Sequence, residues 1–290
     1  MNKILVNKIS WANTENFNNA EFIVIGIPDE SQSHSLRKGT EEAPSQIRKI
    51  SNMRDSYERN GKISLGRPFK GSQKKVYDFG NISRDQIKDT YEKIISASKI
   101  PISIGGDHSI TREIIRSIKK DNEKISLVYF DAHPDFVSSS TNYYGSVLTD
   151  VLSNIEIESS VQIGIRSPEE EELNNIKKYN IQVITPFDIK LKGIQNITNE
   201  ILNKLGKNVY ISFDMDCIDP SFAPGVSVPV PLGLDSTACV FLLQKIAEKG
   251  IIGMDIMEVC PKFDIKDRTS HLASRIISEV LYSSGERSLE

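Results

Sequence analysis

The chain has 290 residues, room for one large or two small domains, and 26% charged against 38% hydrophobic residues is the balance of a folded, water-facing chain. Its 36 Lys and Arg against 39 Asp and Glu leave a net charge of −3, which excludes a dedicated nucleic-acid or anionic-lipid binder, since either needs a basic face. No apolar run approaches the roughly 18 residues that cross a bilayer, so neither nucleic acid nor membrane is expected as a partner.

From the N-terminus, the only early apolar stretch is Ile4 to Val6, with no small-residue cleavage site; no secretory signal is read, and a cytoplasmic location is expected. A strand is predicted over residues 22–27. Residues 51–80, rich in Gly, Ser and Lys, read as irregular surface. A helix over 84–98, a strand over 102–104 and a helix over 109–120 follow, then strands over 125–130 and 161–165. Next come a helix over 168–178, a strand over 181–184, a helix over 197–204 and a strand over 209–213. The last three elements are a helix over 236–249, a strand over 251–257 and a helix over 269–282.

Most of these strands are continuous apolar runs, the pattern of strands buried on both faces. That predicts a three-layer α/β/α fold with a mostly parallel central sheet. There is no internal repeat or long linker, and the notable motifs run from residue 105 to residue 258, so residues 1–290 read as a single domain. Cys217, Cys239 and Cys260 are odd in number and lack CxxC spacing, so they read as core thiols.

The segments beyond the strands carry the chemistry, because open parallel sheets place sites outside the carboxyl ends of their strands. Asp131-Ala132-His133-Pro134-Asp135 sets three potential ligands at alternate positions, on one side of an extended chain. Asp214-Met215-Asp216 repeats the alternation with carboxylates alone. Gly105-Gly106-Asp107-His108-Ser109 adds an imidazole after a tight turn. Buried carboxylates at this density cost several kcal/mol without cations. Four carboxylates (Asp131, Asp135, Asp214, Asp216) and two imidazoles (His108, His133) form an oxygen-rich set that suits manganese over zinc, and six ligands suit two ions better than one.

The chain resembles the ureohydrolase family, which includes arginases and agmatinases. The resemblance rests on GGDHS at 105–109, DAHPD at 131–135 and SFDMDCIDPSFAPG at 212–225. It extends to Gly26-Ile27-Pro28, Arg37, Gly39, Ala43-Pro44, Ile47-Arg48, Gly164-Ile165-Arg166 and Met254-Asp255-Ile256-Met257-Glu258, in family order. It implies two Mn²⁺ per subunit, one held by His108, Asp131, Asp135 and Asp214 and the other by Asp131, His133, Asp214 and Asp216. It also implies a Glu258 that pairs with a guanidinium, a reaction releasing urea and an amine, and a homo-oligomer, trimer or hexamer. Two Mn²⁺, four aspartates and a hydroxide sum to −1 before Glu258 is counted, which attracts a small cationic guanidino substrate and repels the phosphate of a binuclear phosphatase.

The chain departs from the family pattern at Tyr144, where a proton-shuttling histidine is expected; a phenol with pKa about 10 is a poor shuttle at neutral pH. His34, in the loop after the first strand, is the candidate substitute. Ser140-Thr141-Asn142 echoes the loop with which arginases read an amino-acid end, but Ser167-Pro168 stands where their acid would be, and Phe136-Val137 follows Asp135 without an Asn. Agmatine is therefore favoured over arginine or another guanidino acid. A non-catalytic metal-binding homologue is the alternative that Tyr144 raises. The run Glu169 to Glu172 reads as the solvated first turn of a helix, Asp107 and Asp219 as structural groups or turns, Cys217 as an inert buried thiol, and His271 as a surface residue at a helix start.

Overall fold

Runs rich in Val, Ile, Leu and Phe form strands that need cover on both faces, and the helices between them supply it. The computed structural model describes residues 9, 11–51, 74–118, 123–138 and 143–284. Among them, eight strands form one sheet: β1 (Phe22–Gly26), β2 (Val76–Asn81), β3 (Ile100–Ile104), β4 (Ser126–Phe130), β5 (Val161–Ile163), β6 (Gln182–Ile184), β7 (Val209–Asp214) and β8 (Gly253–Met257). Their order is β2-β1-β3-β8-β7-β4-β5-β6, and every neighbouring pair is parallel.

Alternation along each strand splits the core into two layers. Val24, Ile102, Val128, Phe130, Ile211 and Ile256 face one layer, completed by α1 (Ala43–Ser51), α6 (Pro186–Lys192), α7 (Ile194–Lys204), α8 (Ser236–Lys249) and α9 (Arg268–Ser283). Ile23, Ile25, Leu127, Tyr129 and Tyr210 face the other, completed by α2 (Ile87–Ser96), α3 (Ile110–Ile118), α4 (Val147–Val151) and the inner side of α5 (Glu170–Tyr179). The expected three layers are present, and the sheet is wholly parallel where a mostly parallel one was expected.

Two differences from the sequence reading have physical causes. Residues 51–80 are not all irregular surface: β2 lies at their end, an edge strand whose inward position carries Asp78, buried against the Arg48 guanidinium at 2.9 Å. A charge at the inward position hides the strand pattern. The rest of that segment from residue 52 to 73 lies outside the described residues, as do 119–120 of the predicted helix over 109–120. Helices α1, α4 and α6 were not anticipated; α4 and α6 have only five and seven residues, too few to establish a helical period.

Candidate metal centre

His108 follows β3, Asp131 is the first residue beyond β4, Asp214 ends β7 and Glu258 follows β8. These four strands are consecutive neighbours and parallel, so their carboxyl ends deliver all four residues to one edge of the sheet. The glycine pair before His108 is dictated by space: a Cβ on Gly106 would stand 1.9 Å from Asp29 O, and one on Gly105 1.9 Å from Met257 Sδ.

His108 Nδ1 lies 2.9 Å from Asp131 Oδ2, 3.2 Å from Asp214 Oδ2 and 3.4 Å from Asp135 Oδ2. His133 Nδ1 lies 3.1 Å from Asp216 Oδ2 and 3.4 Å from Asp131 Oδ1. Asp131 thus offers one oxygen to each imidazole. Ligand atoms of His108, Asp131 and Asp135 fall within 4.8 Å of one another, as do those of Asp131, His133 and Asp216. Asp214 joins the cluster beside His108, its Oδ1 accepting from Asp216 N at 2.7 Å. All six residues singled out as ligands therefore meet in one cluster.

The cluster draws positive charge. Burial, then Asp216 and Asp135, push Asp131 up to about 6, and burial with Asp216 and Asp131 raises Asp214 as well. Burial also acts to raise Asp216, but His133 beside it holds it below the usual range. Burial opposes charge on the imidazoles, yet the carboxylates prevail: His133 is pushed up to about 12 by Asp216 and Asp131, and His108 is raised by Asp131, Asp135 and Asp214. Asp131 Oδ2 is buried and accepts no hydrogen bond, an orphan that a cation would satisfy. An oxygen-rich donor set with such an orphan fits hard divalent ions.

Buried partners orient the ligands. His108 Nε2 is 2.9 Å from Ser212 Oγ, which donates to Asp255 Oδ1 at 2.9 Å. Asp255 also accepts from Phe213 N, Tyr210 OH and Thr111 Oγ1. Because Ser212 donates to Asp255, its Oγ is free to accept from Nε2–H, which leaves Nδ1 to face the carboxylates and to serve as a ligand atom once a cation displaces its proton. Tyr129 stacks on the His108 ring, centroids 4.7 Å apart, and its hydroxyl donates to Asp135 Oδ2 at 2.6 Å. Ser212, Asp255 and Tyr129 were missed as functional positions, although a carboxylate within the apolar β8 run was a readable signal.

The cluster floors a cavity of about 300 Å³. Its described lining includes seven carboxylate residues (Asp131, Asp135, Glu169, Glu172, Asp214, Asp216 and Glu258), with Tyr143, Tyr144 and Ser167, and neither Lys nor Arg. Arg166 turns away, its guanidinium spent on the carbonyls of Gly164, Asp216, Cys217, Val230 and Pro231. Glu258, with φ +65°, is 2% exposed; Oε1 accepts from His108 N at 2.8 Å and Oε2 from Ser227 Oγ. Burial, then the nearby Asp107, pushes it up to about 8.

Tyr144 lines the cavity, and burial together with Glu258 raises its phenol further above neutrality. His34 stands behind the tyrosines, its ring 5.0 Å from Tyr143 and 6.3 Å from Tyr144, and is not part of the lining. The segment Ser140 to Asn142 lies outside the described residues. The run Glu169 to Glu172 caps and opens α5 with Glu169, Glu170 and Glu171 exposed, as expected of a solvated first turn, and Glu172 is the exception. Glu169 lines the cavity, Glu171 accepts from Ser138 N at 2.8 Å, and Glu172 is buried and accepts from Phe136 N. Asp219 accepts from Ser221 N and Gly233 N in a turn, Asp107 accepts from Gln32 N and Ser109 N, and the three cysteines are buried and unpaired.

Residues 20–282 match the Arginase family model. An agmatinase of Proteus mirabilis is 31% identical over 280 residues, covering 91% of this chain and 87% of the relative. The crystal structure of an agmatine ureohydrolase of Thermoplasma volcanium superposes with a TM-score of 0.80 at 32% identity, covering 96% of this chain and 94% of that one. A proclavaminate amidino hydrolase of Streptomyces clavuligerus gives 0.82 at 26% identity, covering 97% and 96%.

Proposed function

Because the chain belongs to the arginase family and is a ureohydrolase acting on an amidino compound, we propose that its substrate is agmatine, hydrolysed to urea and putrescine at a binuclear manganese centre. The observation that carries this is the cavity lining. Seven carboxylate residues without a described Lys or Arg attract a cation and offer no ion pair to a substrate carboxylate.

A guanidinium carbon is resonance-stabilised, so neutral water does not attack it. Two Mn²⁺, in our reading held by His108, Asp131, Asp135 and Asp214 and by Asp131, His133, Asp214 and Asp216, would bring the pKa of water toward neutrality. The chain's own groups do the rest. Glu258 presents a planar carboxylate to the planar guanidinium, a match that can be bidentate, and the bonds from His108 N and Ser227 Oγ fix its plane. Tyr144, held neutral, walls the cavity on the Glu258 side without carrying protons at neutral pH, and the departing amine takes its proton from solvent. Glu169 lines the same cavity and is suited to the distal ammonium of agmatine.

A guanidino acid is the second reading, favoured by the likeness to the proclavaminate hydrolase. Among the described lining residues, Ser167, Tyr143 and Tyr144 would offer its carboxylate neutral donors, and no Lys or Arg would pair with it. A homologue that binds metal without turnover is the third. We extend the proposal to one domain over residues 1–290, a trimer or hexamer, working in the cytoplasm; among the described residues no helix is long and apolar enough to cross a membrane.

The test is urea release from agmatine and from arginine, and phosphate release from a phosphate ester, by protein preincubated with Mn²⁺, against metal-stripped protein. Manganese-dependent urea, faster from agmatine than from arginine, is expected. Faster arginine turnover overturns the substrate, and bound manganese without urea from any guanidine points to the non-catalytic homologue.

A further inference from the structure

The loop that carries Asp135 is gripped at successive residues. Gln162 Nε2 donates to Pro134 O at 2.7 Å, Leu148 N to Asp135 O at 3.0 Å, and Asn175 Nδ2 to Phe136 O at 2.7 Å. Phe136 N donates to Glu172 Oε1 at 3.0 Å, while Glu172 Oε2 accepts from Glu169 N at 2.8 Å. Asp135 itself has φ +48°, a left-handed conformation that a non-glycine residue keeps only when its surroundings impose it. The residue after it, Phe136, is fully buried with its ring 5.3 Å from Tyr179. Both Glu172 and Asn175 belong to α5, as does Tyr179, so one helix fixes the peptide on the far side of the strained residue.

We infer that Glu172 is a positioning residue for the metal centre: from the first turn of α5 it holds the amide that follows Asp135, and so sets where that carboxylate stands. The inference rests on the reading of Asp135 as a ligand. Glu172 is 4% exposed, and a carboxylate buried to accept a backbone amide is suited to alignment more than to solvation of a helix end. Tyr129 OH and Glu172 then act from opposite sides, the phenol on the Asp135 carboxylate and the glutamate on its following peptide.

The experiment titrates Mn²⁺ into metal-stripped, full-length wild type, Asp135→Asn, Glu172→Ala and Glu172→Gln, followed calorimetrically and by the paramagnetic resonance of free Mn²⁺, with agmatine KM measured at saturating metal. Glu172→Ala is expected to weaken one of the two ions about 10- to 100-fold, the same ion that Asp135→Asn weakens, a larger change than any in agmatine KM at saturating metal. Glu172→Gln keeps an oxygen for Phe136 N and should bind close to wild type. Wild-type affinity in Glu172→Ala beside a weakened Asp135→Asn overturns the inference alone, as does a raised KM with intact metal binding, which would make Glu172 a substrate reader. Wild-type affinity in Asp135→Asn sinks the ligand assignment, and the inference with it. Should Glu172→Ala not fold, Glu172→Leu keeps the bulk and removes the acceptor for Phe136 N, and unchanged affinity there is equally decisive.

Discussion

The imidazole of His108 and the hydroxyl of Ser212 lie 2.9 Å apart, and that contact selects which ring nitrogen faces the carboxylates. Replacing Ser212 by Ala frees the ring to change tautomer and leaves Asp255 short of a donor. Manganese affinity should fall about 10- to 100-fold, with a stability loss of about 1–3 kcal/mol for the buried polar groups left unmatched. Metal titration and a thermal melt of the same preparation measure both, and unchanged affinity would show that the ring needs no such anchor.

Glu258→Gln keeps the shape but cannot become the carboxylate that a bound guanidinium would draw out of Glu258 by favouring loss of its proton. Deleting one partner of a buried, hydrogen-bonded charge pair costs about 2–5 kcal/mol, roughly a 30-fold or greater loss of kcat/KM. Bound manganese should be unaffected, because Glu258 faces the cavity beside the cluster instead of joining either ligand group. Elemental analysis alongside agmatine kinetics separates the two, and full activity in the variant would remove Glu258 from substrate recognition.

Burial, ahead of the fields of Asp135 and Asp131, pushes Glu172 from 4.5 up to about 7. The folded protein then holds this proton between about pH 4.5 and 7 while the unfolded chain has released it. The associated stability is present below about pH 4.5 and lost as pH rises through 7. Metal-stripped wild type should therefore weaken relative to Glu172→Gln across that window, followed by melting both proteins from pH 4.5 to 7.5. A constant difference would contradict the shift.

Tyr144→His puts a group titrating near neutrality beside Glu258, where the phenol does not ionise. If proton delivery to the amine limits turnover, kcat on agmatine should rise about tenfold or more. No rise, in a variant that binds manganese normally, would place the slow step elsewhere.

Much of the site was legible because it is local: DAHPD and the Asp214-Met215-Asp216 run place ligands by strand alternation, and the sheet needs only to bring their ends together. The supports of those ligands were not legible in the same way. Asp255 and Ser212 meet across two strands distant in sequence, and nothing in either motif states which strands are neighbours. Glu172 looks in sequence like any acid in a first helical turn; it is the docking of α5 on the 134–138 loop that buries it. The edge strand β2 was missed for a related reason, its inward Asp78 being explicable only once Arg48 is beside it.

Strand β8 is the last strand in the chain and yet sits between β3 and β7. During synthesis, the segment carrying His108 and the one carrying Asp214 emerge without the strand that spaces them, and the gap is closed only when residues 253–257 insert at the middle of the sheet. Such a late, long-range insertion is slow to nucleate. It makes assembly of the metal cluster a report that the chain has been made through residue 258, so a nascent chain stopped before β8 would lack both the spacer and Glu258.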